Sequence, residues 1–589
     1  MGLGTILKDI FIYKEPEEYH RFELLEDEAE DKGQVNPPEK DDDSNRKDAA
    51  AQKPKSKRPA KDSIRLQAKS SDESPQKKND GSRVCNNLND NLEKMKSAFN
   101  SPVNQDVVIR DFKVMQQRNA FIFYIDGMVD IDIINDYILR QLLERKINKT
   151  DIKADMVDYI SNNLLAANQI IKETEYKEII MQVLNGLTAL FIEGCEQCIL
   201  IESRGFEKRT VSTPLNETVI KGPQEAFIEN LRTNITLVRR IIRNKDFVTE
   251  IVPTGKVNNL NCAIMYIKGI TNPNIIDEVK RRIISLDIGF ISSSGVLDQL
   301  IEDHPHALFP QVLSTERPDR TALFLMEGKV AIICDGSPFA SIVPVTFFHF
   351  IHTSEDYTMR WQGGTFLRLV RIFAVLMAIF LPGLYLALIL YHQEMIPTEL
   401  LISLTKAREN VPFPTIIELI LIEISWELIR EAGVRVPGVI GQTLGIIGGV
   451  ILGQAAVDAG LVSPIQIIIV AIAGLGNFAI PNYGLAFGIR ILRFVFIFLG
   501  ASAGFYGIDA GIFIFGGLAC SLKSFGVPYF SPIAPKAKTN FDLVLKMPPW
   551  LQKERPDIIN PLDRTRVGKT VRGWTEQKNN GGDGNGQRR

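Results

Sequence analysis

Apolar residues are spread along the 589-residue chain in three regimes. Residues 1–25 carry a short helical pattern at Leu3, Ile6, Leu7 and Ile10–Ile12. They lack the basic start, long apolar stretch and small-residue cleavage site of a signal peptide. Ile6 stands where a myristoylated Met1-Gly2 start needs Ser or Thr, so a docking helix or frayed terminus is expected. In residues 26–83 apolar positions nearly vanish: 28 of 58 residues are charged, 14 of each sign, and none is aromatic. Such a stretch cannot bury enough surface to offset chain ordering and is predicted to be a disordered linker. Its opposite charges cancel, which favours a solvated linker over an arm for a partner or anionic lipid.

From about residue 84 to 350, β-like runs alternate with amphipathic helical patterns, the signature of α/β units. An internal echo stands out. Tyr124-Ile125-Asp126-Gly127 is followed by Ile133-Ile134, and Tyr266-Ile267-Lys268-Gly269 by Ile275-Ile276 at the same offsets. Each is a β-rich run, a glycine turn and a helix, which predicts two related α/β subdomains, 84–215 and 216–350.

Beyond residue 366 the apolar runs reach membrane length, ~20 residues for ~30 Å of hydrocarbon. Residues 372–392, 438–457 and 465–486 qualify; 491–521 is too long for one span and is divided near Gly504, Gly507 and Asp509. Segment 412–435 is ambiguous. It is apolar, yet Glu423, Glu427 and Arg430 fall at i, i+4 and i+7 on one helical face, where they need a partner, a cavity or the interface. The alternative is a helix lying on the surface. The tail after Leu522 carries 13 Lys/Arg against 6 Asp/Glu. With Arg490/Arg493 read as a basic loop, the positive-inside rule fits six crossings with the tail and N-terminal domain inside; four crossings is the alternative. Gly441, Gly445, Gly448, Gly449 and Gly453 suit close helix packing or a Gly-rich pore-lining helix with Gln442 and Gln454 as polar groups.

Composition then reads as a sum of opposites. A mean hydropathy of zero and a net charge of −2 imitate a soluble globular protein. Six cysteines make no disulfide framework, and the balanced charge gives no nucleic-acid footprint. Cys195-Glu-Gln-Cys198 is a lone CxxC without a second ligand pair, and His304, His306, His349 and His352 are too scattered for a metal set. Pro253-Thr-Gly255-Lys256 lacks the spacing of a phosphate loop. Nothing resembles an enzyme's active site, and no cofactor or metal is implied.

One stretch is unusually distinctive. Thr315-Glu316-Arg317-Pro318-Asp319-Arg320 precedes LFLMEGKVAIICDGSP, read as two β-runs about Glu327-Gly328, a hairpin with Asp335-Gly336 as a second turn. With it come GPQEAFIENLRTNITLVRRII (222–242), FPQVLSTERPDR (309–320), EGKVAIICDGSP (327–338) and SEDY (354–357). HQEMIPTELL (392–401), VPFP (411–414), REAGVRVP (430–437), GQAAVDAG (453–460) and SFGVPY (524–529) follow in order. In these motifs the chain resembles the A subunit of GerA-type nutrient germinant receptors of endospore-forming bacteria, over about residues 105–535.

The resemblance implies a subunit of the spore inner membrane, with its two-lobed domain on the core side. It implies assembly with a transporter-like B subunit and a lipoprotein C subunit. It also implies self-assembly into an oligomer, a pentamer in the family view, that releases monovalent cations when triggered. From periodicity, Glu423 and Glu427 are the candidates for the pore or subunit interface, with Arg430 or Arg435 as ion-pair partner and Gln442 and Gln454 behind them. Two rival readings are kept. One is an accessory paralogue that amplifies germination with the dipicolinate channel. The other is a nutrient-binding carrier with helices broken at Pro382 and Pro481.

Overall fold

A computed structural model describes residues 83–144, 156–205, 213–435, 453–536 and 541–568. The expectations for 1–25, for the linker as far as residue 82, and for most of 438–457, including Gln442, lie outside the described residues.

Strands β1 (Val107–Val114), β2 (Arg118–Ile125), β3 (Ile170–Glu173), β4 (Leu187–Ile192) and β5 (Cys198–Glu202) form an antiparallel sheet in the order β1-β2-β4-β5-β3. Strands β6 (Phe247–Thr254), β7 (Leu260–Ile267), β8 (Leu313–Thr315), β9 (Val330–Cys334) and β10 (Ala340–Val343) form a second, ordered β6-β7-β9-β10-β8. The two orders are the same. The sequence echo falls at equivalent places, the ends of β2 and β7, where Gly127 (φ +78°) and Gly269 (φ +82°) make left-handed turns that disfavour other residues.

Both sheets are covered on both faces, as period-two alternation dictates. In β2, Phe121, Phe123 and Ile125 face helices α1 (Leu88–Ala98) and α2 (Tyr176–Leu184), while Ala120 and Ile122 face the opposite core. In β7, Cys262, Ile264 and Tyr266 pack towards Ile275 and Val279, whereas Ala263, Met265 and Ile267 join the core of helix α3 (Leu231–Ile241). Ile275 and Val279 belong to helix α4 (Pro273–Ile284).

The latter core continues without a break into the long helices, through Val375, Ala378, Leu485, Ile489 and Phe496. Among the described residues, two helices are long and apolar enough to cross a membrane. They are α7 (Trp361–Tyr391), with 31 residues, and α11 (Tyr483–Ser521), whose 39 residues are interrupted at Gly504. Helices α5 (Ser294–Ile301) and α6 (Pro318–Met326) precede them, and α8 (Thr398–Arg408), α9 (Thr415–Arg435) and α10 (Pro464–Phe478) lie between.

Several expectations change. The first arm of the anticipated hairpin is α6: Pro318 takes the first helical position, where its missing N–H is harmless, and Asp319 sits in the positive first turn. The second arm stands, with β9 and β10 joined through Asp335-Gly336 (φ +75°). The span proposed at 465–486 is broken. Helix α10 ends at Phe478, and the Asn482 side chain caps α11 by accepting from Leu485 N–H at 2.9 Å. Arg490 and Arg493 are no basic loop. They are buried within α11, so they drop out of the positive-inside argument.

The division of 491–521 falls at Gly504 (φ +60°, ψ −139°). Beyond it Gly507 and Gly511 lie against Leu499 and Phe496, so the chain folds back on itself. The Tyr391 hydroxyl donates to the carbonyls freed there, Ala501 (2.9 Å) and Ser502 (2.8 Å). Gly383 and Gly500 let α7 and α11 touch backbone to backbone: a Cβ on Gly383 would meet the Phe496 carbonyl at 2.6 Å.

Candidate functional site

Among the described residues, two buried polar clusters and one cleft bring the motif charges and the helix charges together. The first cluster grows from the motif residues around Arg317. Its guanidinium, wholly buried, makes a bidentate pair with Asp319 (Nε to Oδ1 and Nη2 to Oδ2, both 3.1 Å). It also donates to the carbonyls of Glu217 (3.0 Å) and Pro223 (2.7 Å). Glu316 accepts from the Asn216 and Glu217 N–H groups, each at 2.6 Å. Arg320 pairs with Glu217 and donates to the carbonyls of His349 and His352, each at 3.0 Å. These motif charges therefore fasten the connection between the two sheets onto the segment leading to α7. Asp335 and Gly336 act likewise at the start of α3, through Leu231 N–H (3.3 Å) and the Glu229 carbonyl (2.8 Å).

Below this layer lies Asp356, fully buried. It caps Thr353 N–H (3.1 Å) and pairs with Arg371 (2.6 Å) and Arg368 (3.6 Å) of α7. Arg371 further donates to Thr353 Oγ1 (3.1 Å) and the Ile351 carbonyl (3.2 Å). The C-terminal segment closes over them. Lys546 donates to the carbonyls of Asp356 and Met359 (the latter 2.8 Å), and Arg368 donates to that of Asp542. His352 Nε2 meets the Leu543 carbonyl at 2.7 Å. Farther along, the Asn560 carbonyl accepts from Asn272 (3.1 Å), Leu562 N–H bonds Ile270 O (3.0 Å), and Ile559 is buried in the sheet core. Residues 541–568 of the expected basic tail are thus a strap binding the second sheet to α7.

Lys329 and His349 meet at 2.6 Å inside this hub. Burial and the Lys329 ammonium hold His349 well below the usual imidazole range, and burial pulls Lys329 down to about 8. The sign follows from linkage. An unfolded Lys titrates near ~10.4, so between about 8 and ~10.4 the unfolded chain holds a proton that the folded chain has released. The Lys329 contribution to stability therefore rises with pH across that window. Urea midpoints at pH 7.5 and 9.5 should show this rise in the parent chain and a smaller one in Lys329→Met.

The second cluster sits among the long helices. Glu423 is fully buried and accepts from Arg493 Nη1 at 3.0 Å. Arg493 also donates to the carbonyls of Ala378 (2.8 Å) and Ala473 (3.2 Å), so one side chain ties α7, α9, α10 and α11 together. Glu427 takes Arg490 (3.1 Å) and Arg430 (2.8 Å). The shared face of Glu423, Glu427 and Arg430 is therefore occupied by charge. Its principal partners, Arg490 and Arg493, are the residues that sequence reasoning placed in a loop. Their three-residue spacing against the four-residue spacing of the glutamates was the available signal. Glu418, also missed, is buried; it accepts from Ser463 N–H and lies 3.9 Å from Arg408. Gln454 is exposed; Gln442 and the side chain of Arg435 lie outside the described residues.

A cleft of about 400 Å³ opens between the two sheet units, with Asp126, Asp130 and Asp132 on one side and Arg232, Thr233 and Arg240 on the other. Arg232 pairs with Asp126 across it. Opposite charges at its walls suit a small polar molecule carrying both signs. Deeper in the same junction, Arg239 pairs with Asp106 and donates to the Phe247 carbonyl at 3.0 Å.

Comparison with known proteins gives the family of the chain. The family described as Bacillus/Clostridium GerA spore germination protein matches residues 93–558. Spore germination protein KA of Bacillus subtilis (strain 168) is 37% identical over 470 residues, covering 79% of this chain and 86% of that protein. Spore germination protein GerLA of Bacillus cereus is 35% identical over 481 residues, covering 81% and 97%. The crystal structure of the N-terminal domain of the A subunit of the Bacillus megaterium spore germinant receptor GerK3 is 29% identical. It covers 45% of this chain and 98% of that one, with a TM-score of 0.34. The motif hub, the helix cluster and most of the chain's length fall inside the matched span, and the chain belongs to the GerA spore germination protein family.

Proposed function

We propose that this chain is the A-type membrane subunit of a spore nutrient germinant receptor and that, as an oligomer, it forms a ligand-gated monovalent-cation channel. The observation that carries the reading is the continuity of the polar hub with α7. Arg317 and Arg320 grip the soluble units, while Asp356 grips Arg368 and Arg371 of that helix. A change in how the two sheets sit would reach the membrane helices through fixed ion pairs rather than a flexible hinge.

In this reading the Glu423–Arg493 pair holds the helices of each protomer together. Glu427, whose side chain is about a quarter exposed, is the carboxylate placed to face a neighbouring protomer or the ion path. Arg430 neutralises it in the resting state, and Gln442 and Gln454 belong to the adjoining Gly-rich segment. A transporter-like B subunit and a lipoprotein C subunit complete the receptor in the spore inner membrane. The sheet units and strap face the core, and symmetry suits a closed ring such as a pentamer. Spores carrying Glu427→Gln should release monovalent cations several-fold more slowly on nutrient addition while holding normal amounts of the subunit. Unchanged release kinetics would remove Glu427 from the ion path.

A second reading, in which this subunit itself takes a nutrient, is favoured by the charged cleft at Asp126 and Arg232. Calorimetric titration of the purified chain with amino acids, sugars and nucleosides tests it, using Arg232→Ala as the control.

A further inference from the structure

We propose that Cys262 and Cys334 are a modification site: a hydroperoxide that reaches them closes an intrachain disulfide across the middle of the second sheet. The two residues are direct partners in the antiparallel register of β7 and β9. Asp335 N–H donates to the Asn261 carbonyl at 3.0 Å, which makes residues 261 and 335 a hydrogen-bonded pair. Hydrogen-bonded and non-hydrogen-bonded pairs alternate, so Cys262 and Cys334 form the non-hydrogen-bonded kind, in which Cα atoms approach to about 4.5 Å and side chains are closest. That separation lies within the ~4.4–6.8 Å that a disulfide spans. The sulfurs are 3.2 Å apart. Closing them to the bonded ~2.05 Å asks for a side-chain adjustment rather than a shift of strands.

The surroundings select the oxidant. Both thiols are fully buried, in a cluster with Ile264, Ile275 and Ile332. A low-molecular-weight peptide disulfide has no room there, whereas hydrogen peroxide is small and uncharged. One thiolate attacks the peroxide O–O bond to give a sulfenic acid, with the other oxygen leaving as water. The second thiol then attacks the sulfenic sulfur, forming the S–S bond and releasing a second water. The sum is two thiols and one peroxide giving one disulfide and two waters. The neighbouring Cys262 thiol and burial push Cys334 upward, which disfavours its thiolate at neutral pH. The bond would tie β7 to β9 immediately before the Asp335-Gly336 turn that holds α3.

The test uses the full chain in detergent, exposed natively to hydrogen peroxide, then unfolded, blocked with N-ethylmaleimide and digested without reductant. The expected product is a peptide pair joined through Cys262 and Cys334. It should be cleaved by dithiothreitol, absent from Cys262→Ser and Cys334→Ala, and accompanied by a raised unfolding midpoint. Cys85, Cys195, Cys198 and Cys520 serve as internal comparisons. The proposal is overturned if both residues return as alkylated thiols, if they return over-oxidised without a link, or if the link appears only when peroxide is added after unfolding.

Discussion

Replacing Arg493 with alanine should destabilise the helix region by about 3–5 kcal/mol, the usual consequence of removing one member of a buried ion pair. The Glu423 carboxylate would be left wholly buried without its cation, and the carbonyls of Ala378 and Ala473 would each lose a donor. Removing both charges separates the pair from packing. Glu423→Leu with Arg493→Met should recover most of the lost stability, because an apolar pair of similar volume replaces the ion pair without an orphaned charge. Denaturant unfolding of the purified chain in micelles measures both variants. Equal loss in the single and double variants would mean that Arg493 acts through its contacts to the Ala378 and Ala473 carbonyls, not through Glu423.

Asp356→Ala is the second large effect. It removes the carboxylate shared by Arg368 and Arg371 and the cap on Thr353 N–H. Arg368 is also buried, so the lost pairing falls in a site with little access to water, and ~3–5 kcal/mol is again the scale. The backbone carbonyl of residue 356 survives, so Lys546 keeps part of its hold on the strap. The expected outcome is a sheet unit that remains folded but lies loosely on α7. Limited proteolysis should then cut near residues 346–360 and within the strap much faster than in the parent chain, while the sheets stay resistant. Asp356→Asn, which can still accept from Thr353 N–H, should be milder. A uniform increase in cleavage, sheets included, would mean that the site supports the whole fold and not the joint.

The two sheets and the apolar runs of α7 and α11 were legible because their signals are local. Alternating residues in β2 and β7, a left-handed glycine after each and runs of uncharged residues all lie within a few positions of one another. The functional clusters were not, because their partners are far apart. Arg493 meets Glu423 from 70 residues away, and Arg317 meets the Pro223 carbonyl from 94. The strap reaches Asp356 from 190. Charge at Arg490 and Arg493 reads as a membrane boundary when counted along the chain, and only tertiary packing turns it into the partner of a glutamate face. Pro318 shows the opposite failure. It was a helix-start signal in plain view, masked by β-branched and aromatic neighbours.

Potassium efflux from sealed liposomes tests the proposed conduction of monovalent cations by this chain. The purified chain is reconstituted alone and together with the transporter-like and lipoprotein subunits. Efflux in the presence of a nutrient mixture, abolished or strongly slowed by Glu427→Gln, is the expected result. Liposomes that stay tight in every combination, while the protein is folded and assembled, would contradict it.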